Sequence, residues 1–478
     1  MIPTQHKTSD AIEAIQRTYL SLPQPWVVGF SGGKDSTCVL QLVWKAISGL
    51  PQDQQTKPVY VISSDTMVET PVIANLIHTT MNSIALSAKA QTLPIQAQIV
   101  KPQIEDTFWV NLIGKGYPAP RQKFRWCTDR LKIEPANRFI KEIVSKHGEA
   151  IVVLGARTDE SASRAQVLSK QKEQYETGAA LPRHTTLPNS FVFTPIMNWT
   201  TAEVWDFLLK ESRTPWGTSN RDLAAIYKDS TAGECPLVVD KTTPSCGNSR
   251  FGCWTCTVVE KNHSLENMVD KGQDWMEPLV RYWNILKETT DPANKSKFRS
   301  FKRRTGQVSF HDNTANGDEV KVIYGPYKFD FRKKLLTDLL KVEVEINHGR
   351  AEKLELISED EIRMIRTIWL DEENDWEDSV PKLFKDTTGR DLQYATDDSA
   401  TFGIAEIAIL EAACAEHGVP RNLIGRLLDK EREFTVLSRR SALQKELGGI
   451  LHEEWRGETD VVLAETQRRA RENAVTQK

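Results

Sequence analysis

The stretch Trp26-Val27-Val28-Gly29-Phe30-Ser31-Gly32-Gly33-Lys34-Asp35-Ser36 constrains the fold more than any other part of the chain. The apolar run Trp26 to Phe30 predicts a buried strand, the glycine pair a tight turn, and Thr37 to Trp44 the helix that follows. Gly32 and Gly33 let backbone N–H groups approach an anion, and Ser31 and Ser36 add hydroxyl donors. Lys34 adds a point charge, and the helix N-terminus adds its dipole. A loop of that composition, between a strand and a helix, suits phosphate. It is not a Walker loop, because G-x-x-x-x-G-K-[ST] is absent: one glycine pair stands directly before Lys34, and Asp35-Ser36 follows it.

A chain of 478 residues has room for two or three domains with a substantial core. With 27% charged residues and a net charge of −3 it carries no global positive field, so any contact with nucleic acid must be local or shared with partners. No charged-then-apolar leader pattern opens the sequence, and no apolar run approaches the roughly 18 residues of a membrane span. The expectation is a cytoplasmic protein with no membrane association.

Further strands are predicted at Val59–Ile62, Ile95–Val100, Ala150–Leu154 and Phe191–Ile196. Helices are predicted at about Ser9–Leu20, Pro71–Leu86, Ile104–Leu112 and Glu134–His147, and Thr200 with Glu203 forms a capping box for another. Asp65 and Thr66 follow the second strand, where open parallel sheets bind ligands; one such side chain can equally cap the next helix. Arg121, Lys123, Arg125, Arg130 and Lys132 surround Cys127. Such surroundings stabilise a thiolate, which makes Cys127 a candidate sulfur nucleophile; a buried structural cysteine or an extra metal ligand are the other readings. Arg157 and Arg164 follow the Ala150 strand, and their guanidinium forks suit pyrophosphate or a second phosphate, or else pair with Asp159 and Glu160. Residues 165–190 are polar and irregular and read as a mobile loop near the site.

Four of the seven cysteines, Cys235, Cys246, Cys253 and Cys256, fall within 22 positions. In a reducing compartment that clustering argues for a metal site over a disulfide framework. Cys253-Trp254-Thr255-Cys256 can offer two thiolates to one centre, and four thiolates suit either zinc or an iron–sulfur cubane. Cys38 and Cys414 lie on helical patterns and read as core.

SGGKDS, the Asp65-Thr66 strand end, Cys127-Thr128 with Leu131-Lys132, Gly155 with Arg157, and Pro195-Ile196 with Trp199, Val204 and Trp205 come in one order along residues 25–210. Together they resemble the PAPS reductase-like branch of the PP-loop ATP pyrophosphatases. Within that branch the cysteine cluster and the long extension after it resemble the DndC family, the sulfurtransferases of DNA phosphorothioation. The reductases' C-terminal Glu-Cys-Gly motif is absent: Glu234-Cys235 is followed by Pro236 and lies mid-chain.

The resemblance implies an α/β fold: a parallel-sheet PP-loop (adenine nucleotide alpha hydrolase-like) domain over residues 1–215, a cysteine-rich metal-binding region over 216–270 and a mostly helical extension over 271–478. It implies ATP, Mg²⁺ and a [4Fe–4S] cluster held by Cys235, Cys246, Cys253 and Cys256. Ser31, Gly32, Gly33, Lys34, Asp35, Ser36 and Asp65 would bind the nucleotide. Cys127, Lys34, Arg157 and Arg164 would act in catalysis. DNA, a cysteine desulfurase, and ATPase and DNA-binding components of phosphorothioation are the implied partners. A small-molecule sulfur enzyme and a tRNA thiolase would use the same loop.

In the C-terminal half, Lys295, Lys297, Arg299, Lys302, Arg303 and Arg304 interleave with Phe298 and Phe301, which fits either phosphate and base contacts or a solvated face. Tyr327–Leu340 is a predicted helix on which Arg332, Lys333 and Lys334 offer further positive charge. Asp371–Asp375 forms an acidic patch, helices are predicted at about Ile404–His417 and Leu437–Glu454, and the tail from Gly457 is either a partner-binding helix or frayed.

Overall fold

The structure, a computed structural model, describes residues 4–160, 181–229, 252–311, 320–394, 404–435 and 442–476. Of the sequence-derived site residues, Arg164, Cys235 and Cys246 lie outside the described residues, as does the 165–180 part of the expected loop. The chain divides into two compact units, one of residues 1–108 and 120–283, the other of 109–119 and 284–478.

The first unit is built on five parallel strands: β1 (Trp26–Gly29), β2 (Val59–Ser64), β3 (Ile95–Val100), β4 (Ala150–Val153) and β5 (Ser190–Phe193), in the order β3-β2-β1-β4-β5. Apolar residues crowd both faces of these strands because helices cover both sides of a parallel sheet. Trp26 and Val28 of β1 point to one side. There they meet Ile15 and Tyr19 of α1 (Thr4–Ser21), and Leu40 and Trp44 of α2 (Lys34–Ser48). Val204 and Phe207 of α5 (Thr201–Lys210) join the same cluster. Val27 points the other way, with Ile62, Val152 and Val192, against Ala136, Ile140 and Ile143 of α4 (Glu134–His147). This alternation is the period-two geometry of a strand carried into two separate cores. α3 (Pro71–Ala90) connects β2 to β3, and α6 (Asn220–Asp229) follows α5. Cys38 and Cys414 are buried, as their helical positions predict.

The strand order reverses at β1. The chain runs outward from β1 to β2 and β3, then returns to the other side of β1 for β4 and β5. Loops leaving β1 and β4 therefore diverge at a crevice beyond the carboxyl ends of the strands, the place where open α/β sheets bind ligands. The Ser31–Lys34 loop leaves β1 there, and Gly155-Ala156-Arg157 leaves β4 beside it. The second loop comes within backbone contact of the first. A Cβ on Gly155 would stand 2.8 Å from the Asp35 carbonyl carbon and 3.0 Å from the Ser36 nitrogen, distances only a glycine tolerates.

The second unit is mostly helical, with helices at Phe329–Ile346, Glu359–Glu373, Ser379–Thr388, Ile404–His417, Arg421–Thr435, Leu443–Leu451 and Glu458–Thr476. Instead of the predicted Ile104–Leu112 helix, a single 3₁₀ turn spans Ile104–Asp106 and a π turn spans Val110–Gly114. Within the second unit, the carbonyls that the π turn leaves open are taken by Arg332, whose Nε donates to Ile113 O at 2.9 Å and Nη2 to Gly114 O at 2.6 Å. Arg332 is 1% exposed and also pairs with Glu373. It therefore offers no surface charge, contrary to the expectation from sequence. Lys333 pairs with Asp375, Lys334 with Asp338 and Arg304 with Glu372, while Arg299 donates to the Tyr324 and Gly325 carbonyls. Arg304, Arg332 and Lys333 thus neutralise Glu372, Glu373 and Asp375 of the acidic patch. Among the described residues no helix is long and apolar enough to cross a membrane.

Gly155→Ala drives a methyl group into the backbone of the first turn of α2, and overpacking of this kind costs about 1–3 kcal/mol. Thermal unfolding is expected to show a lowered Tm, whereas Gly448→Ala, in a helix with open space around it, is expected to leave Tm unchanged or raised. Equal Tm values for wild type and Gly155→Ala would contradict the packing described.

Candidate nucleotide and thiol site

Gly32 adopts φ +72°, the left-handed conformation that turns the chain after β1, and Gly33 is extended before α2 begins. No side chain caps α2, so its first amides face the loop. The loop's own polar groups hold one another: Ser31 N–H donates to Ser36 Oγ at 3.2 Å, the two hydroxyls lie 3.1 Å apart, and Ser36 Oγ donates to Gly33 O at 3.0 Å. Lys34 Nζ lies 2.6 Å from Asp35 Oδ2. The Lys34 N–H donates to the Tyr227 hydroxyl of α6 at 3.0 Å. That partner is not legible in the sequence, because a tyrosine on a polar helix carries no periodic or motif signal.

Asp35 is the hinge of the site. Its other carboxylate oxygen accepts Arg157 Nε at 2.7 Å, and both side chains are buried. Arg157 Nη1 donates to the Trp199 carbonyl and Nη2 to Thr201 Oγ1, each at 3.1 Å. Every nitrogen of this guanidinium has a protein acceptor, so Arg157 ties α2, the loop after β4 and the start of α5 together. Its fork holds the phosphate loop in place.

At the end of β2, Asp65 accepts the Met67 N–H at 2.8 Å and lies 3.2 Å from both Lys101 Nζ and His78 Nε2. Burial works against its ionisation, but the Met67 amide and the Lys101 charge outweigh that and hold the carboxyl below its ordinary range. Thr66 is fully buried; its N–H donates to the Glu69 carboxylate, and its Oγ1 lies 3.3 Å from Cys253 Sγ. The Cys253-x-x-Cys256 knuckle is hydrogen-bonded onto this connection like a short extra strand. Glu69 pairs with Cys253, and Trp254 N–H donates to Val68 O at 3.0 Å. Trp254 is buried edge-on against Tyr282, and the Trp283 indole N–H donates to the Cys256 carbonyl at 2.8 Å. Cys256 N–H closes the turn on Cys253 O at 3.1 Å.

Burial pushes the Cys253 thiol up to about 12, with the Lys132 charge pulling the other way. Burial also raises Glu69, again opposed by Lys132. An apolar, half-closed thiol pair on a tight turn fits a soft cationic centre, whose charge would offset the cost of two thiolates. Among the described residues no group of three or more His, Cys, Asp or Glu is placed to hold a metal ion.

Cys127 is half-buried on a short helix, Trp126–Thr128, that runs through a π turn at Asp129–Ile133 into α4. Trp126 stacks on Phe108 at 5.4 Å, and Arg130 pairs with Asp106. Two residues before the cysteine, Arg125 keeps Nε and Nη1 buried with no hydrogen-bond partner among the described residues. Buried guanidinium nitrogens rarely stay unpaired, so this orphan marks an anion-seeking spot. Lys132, on the same segment, acts electrostatically on Cys253 and Glu69. The basic segment of Cys127, the thiol knuckle and the end of β2 therefore adjoin one another.

Removal of the Arg157 fork leaves Asp35 buried beside a single lysine, and breaking a buried pair costs about 3–5 kcal/mol. Arg157→Met is expected to lower Tm strongly. Arg157→Lys is expected to lose less, because one ammonium reaches Asp35 but cannot also serve Trp199 and Thr201. A wild-type Tm for Arg157→Met would contradict the anchoring role.

The family model of the phosphoadenosine phosphosulfate reductase domain matches residues 25–259. The uncharacterized protein MJ0066 of Methanocaldococcus jannaschii is 28% identical over 285 residues, 60% of this chain and 46% of that protein. The chain thus spans about half the length of that curated relative. Among solved structures, the phosphoadenylyl-sulfate (PAPS) reductase of Candida auris, a phosphate complex, is similar with a TM-score of 0.30 and 18% identity over 46% of this chain and 90% of that one. The U34-tRNA thiolase NcsA of Methanococcus maripaludis, with its [4Fe-4S] cluster, is similar with a TM-score of 0.28 and 13% identity over 61% of this chain and 82% of that one. With the five parallel strands in place and the family model covering the phosphate loop through the thiol knuckle, residues 25–259 form a PAPS reductase-like domain of the PP-loop superfamily.

Proposed function

We propose that this chain is the sulfurtransferase of a DNA phosphorothioation system, of the DndC kind, activating a backbone phosphate with ATP and replacing one of its oxygens by sulfur. The observation that carries sulfur transfer is the packing of the Cys253 knuckle on the end of β2, one strand from the phosphate loop. DNA as the acceptor rests on the sequence resemblance, in which the cysteine cluster and a long extension follow the PP-loop domain.

In the first step a non-bridging oxygen of a DNA phosphodiester attacks the α-phosphorus of ATP. The new P–O bond forms as the bond to the β-phosphate oxygen breaks, and pyrophosphate leaves with the electron pair. Ser31, Gly32, Gly33, Lys34 and Ser36 hold the departing phosphates, and the amides of α2 and the Lys34 ammonium stabilise the charge that develops on them. The sequence assigned Mg²⁺ here as well. The two carboxylates that the sequence assigned to the nucleotide do not fit it as ligands: Asp35 is shared by Lys34 and Arg157, and Asp65 by Lys101 and His78. No step is assigned to a protein-held Mg²⁺.

In the second step the terminal sulfur of a persulfide on Cys127, loaded by a cysteine desulfurase, attacks the adenylated DNA phosphorus. A P–S bond forms, the P–O bond to AMP breaks, and AMP leaves. A second thiol then attacks the Cys127 sulfur, forming a disulfide and releasing the thiophosphate. A dithiol reductant restores both thiols. Arg125 and Lys132 suit the anions that gather beside Cys127. Cys253 and Cys256, with Cys235 and Cys246, would hold a [4Fe–4S] cluster, which supplies electrons or rigidity when bound.

In cells carrying a complete modification system, Lys34→Ala and Cys127→Ser are each expected to abolish phosphorothioate in DNA, measured by mass spectrometry of nuclease digests. Phosphorothioate at wild-type level with Cys127→Ser would place the persulfide elsewhere. A family match to a reductase domain favours a second reading, reduction of a small sulfonucleotide; tight binding of such a nucleotide by the purified protein without DNA would support it.

A further inference from the structure

Tyr227 reaches into the phosphate loop from a separate helix. Its hydroxyl accepts the Lys34 N–H at 3.0 Å, and a Cβ on Gly33 would also lie 3.0 Å from that oxygen. The contact is supplied from outside the loop, by a helix 193 residues further along the chain. Its ring is braced edge-on against Trp205 of α5 at 5.1 Å, and Lys34 Nζ lies 5.8 Å from the ring centre. Ser31 pairs with Ser36, Ser36 with the Gly33 carbonyl and Lys34 with Asp35, and Arg157 holds Asp35 from the far side. A neutral hydroxyl thus holds one of the amides that a loop of this kind presents to an anion.

We infer that Tyr227 is a selectivity residue of the phosphate seat: its hydroxyl occupies the Lys34 amide until a phosphate of the nucleotide displaces it. The inference rests on the reading that this loop binds nucleotide phosphate. A phosphate oxygen brings full charge to the amide and to Lys34, so it outcompetes the hydroxyl, whereas a ligand without phosphate cannot. Tyr227 therefore sets a threshold, weakening the grip on phosphate by the strength of one neutral hydrogen bond and leaving adenosine unaffected.

Calorimetry on the full chain with inorganic pyrophosphate, ATP and adenosine tests this with Tyr227→Phe, which keeps the ring and its packing on Trp205. The expected result is pyrophosphate and ATP bound roughly 3- to 10-fold more tightly than by wild type, the range of one net hydrogen bond, with adenosine unchanged. Binding by Tyr227→Phe where wild type shows none supports the inference equally. Equal or weaker binding of pyrophosphate by a variant with wild-type Tm overturns it, and would make the hydroxyl a phosphate donor or a bystander. Binding of pyrophosphate and ATP by neither protein overturns the nucleotide reading itself, and the inference with it.

Discussion

The buried pair between Arg157 and Asp35 is the interaction on which the candidate site depends. Two charges taken out of water cost several kcal/mol each unless every polar group finds a partner. Here the carboxylate is shared by Arg157 and Lys34, and each guanidinium nitrogen has an acceptor. That completeness fixes the loop leaving β4 against the first turn of α2, closely enough for Gly155 to touch its backbone. The phosphate loop is thus preorganised from behind, and Gly32, Gly33 and Ser31 need only turn the chain.

A second consequence concerns sulfur. Five parallel strand ends, β2 among them, could have received the cysteine knuckle, and the structure seats it on β2 next to β1. The hydrogen bonds that do so are backbone ones, from Trp254 to Val68 and between Glu69 and Cys253, reinforced by the buried Trp254. Lys132 brings the Cys127 segment to the same corner. The glycine loop after β1 and the cysteines then share one end of one sheet, the arrangement that the proposed adenylation and sulfur attack require.

The strands and helices of the first unit were largely legible because each is long, apolar on a regular period and punctuated by Gly, Pro or a cap. The Ile95–Val100 strand and the Glu134–His147 helix have their predicted bounds, and the Thr200–Glu203 capping box forms. Local signals also explain the failures. The Ile104–Leu112 pattern is apolar enough for a helix, but burial around Trp109 and Arg332 favours a π turn whose open carbonyls the guanidinium satisfies. What each charged side chain does was not legible, because partners such as Asp35 for Arg157, Glu373 for Arg332 and Tyr227 for the Lys34 amide are set by tertiary packing across 40 to nearly 200 positions of sequence.

The most direct test of the central claim is pyrophosphate release by the purified protein from ATP labelled in its γ-phosphate, with and without added DNA, tRNA or an adenylyl sulfonucleotide. Adenylation of a DNA phosphate predicts release that requires DNA and is lost with Lys34→Ala. Release that tRNA or the sulfonucleotide stimulates and DNA does not would contradict it.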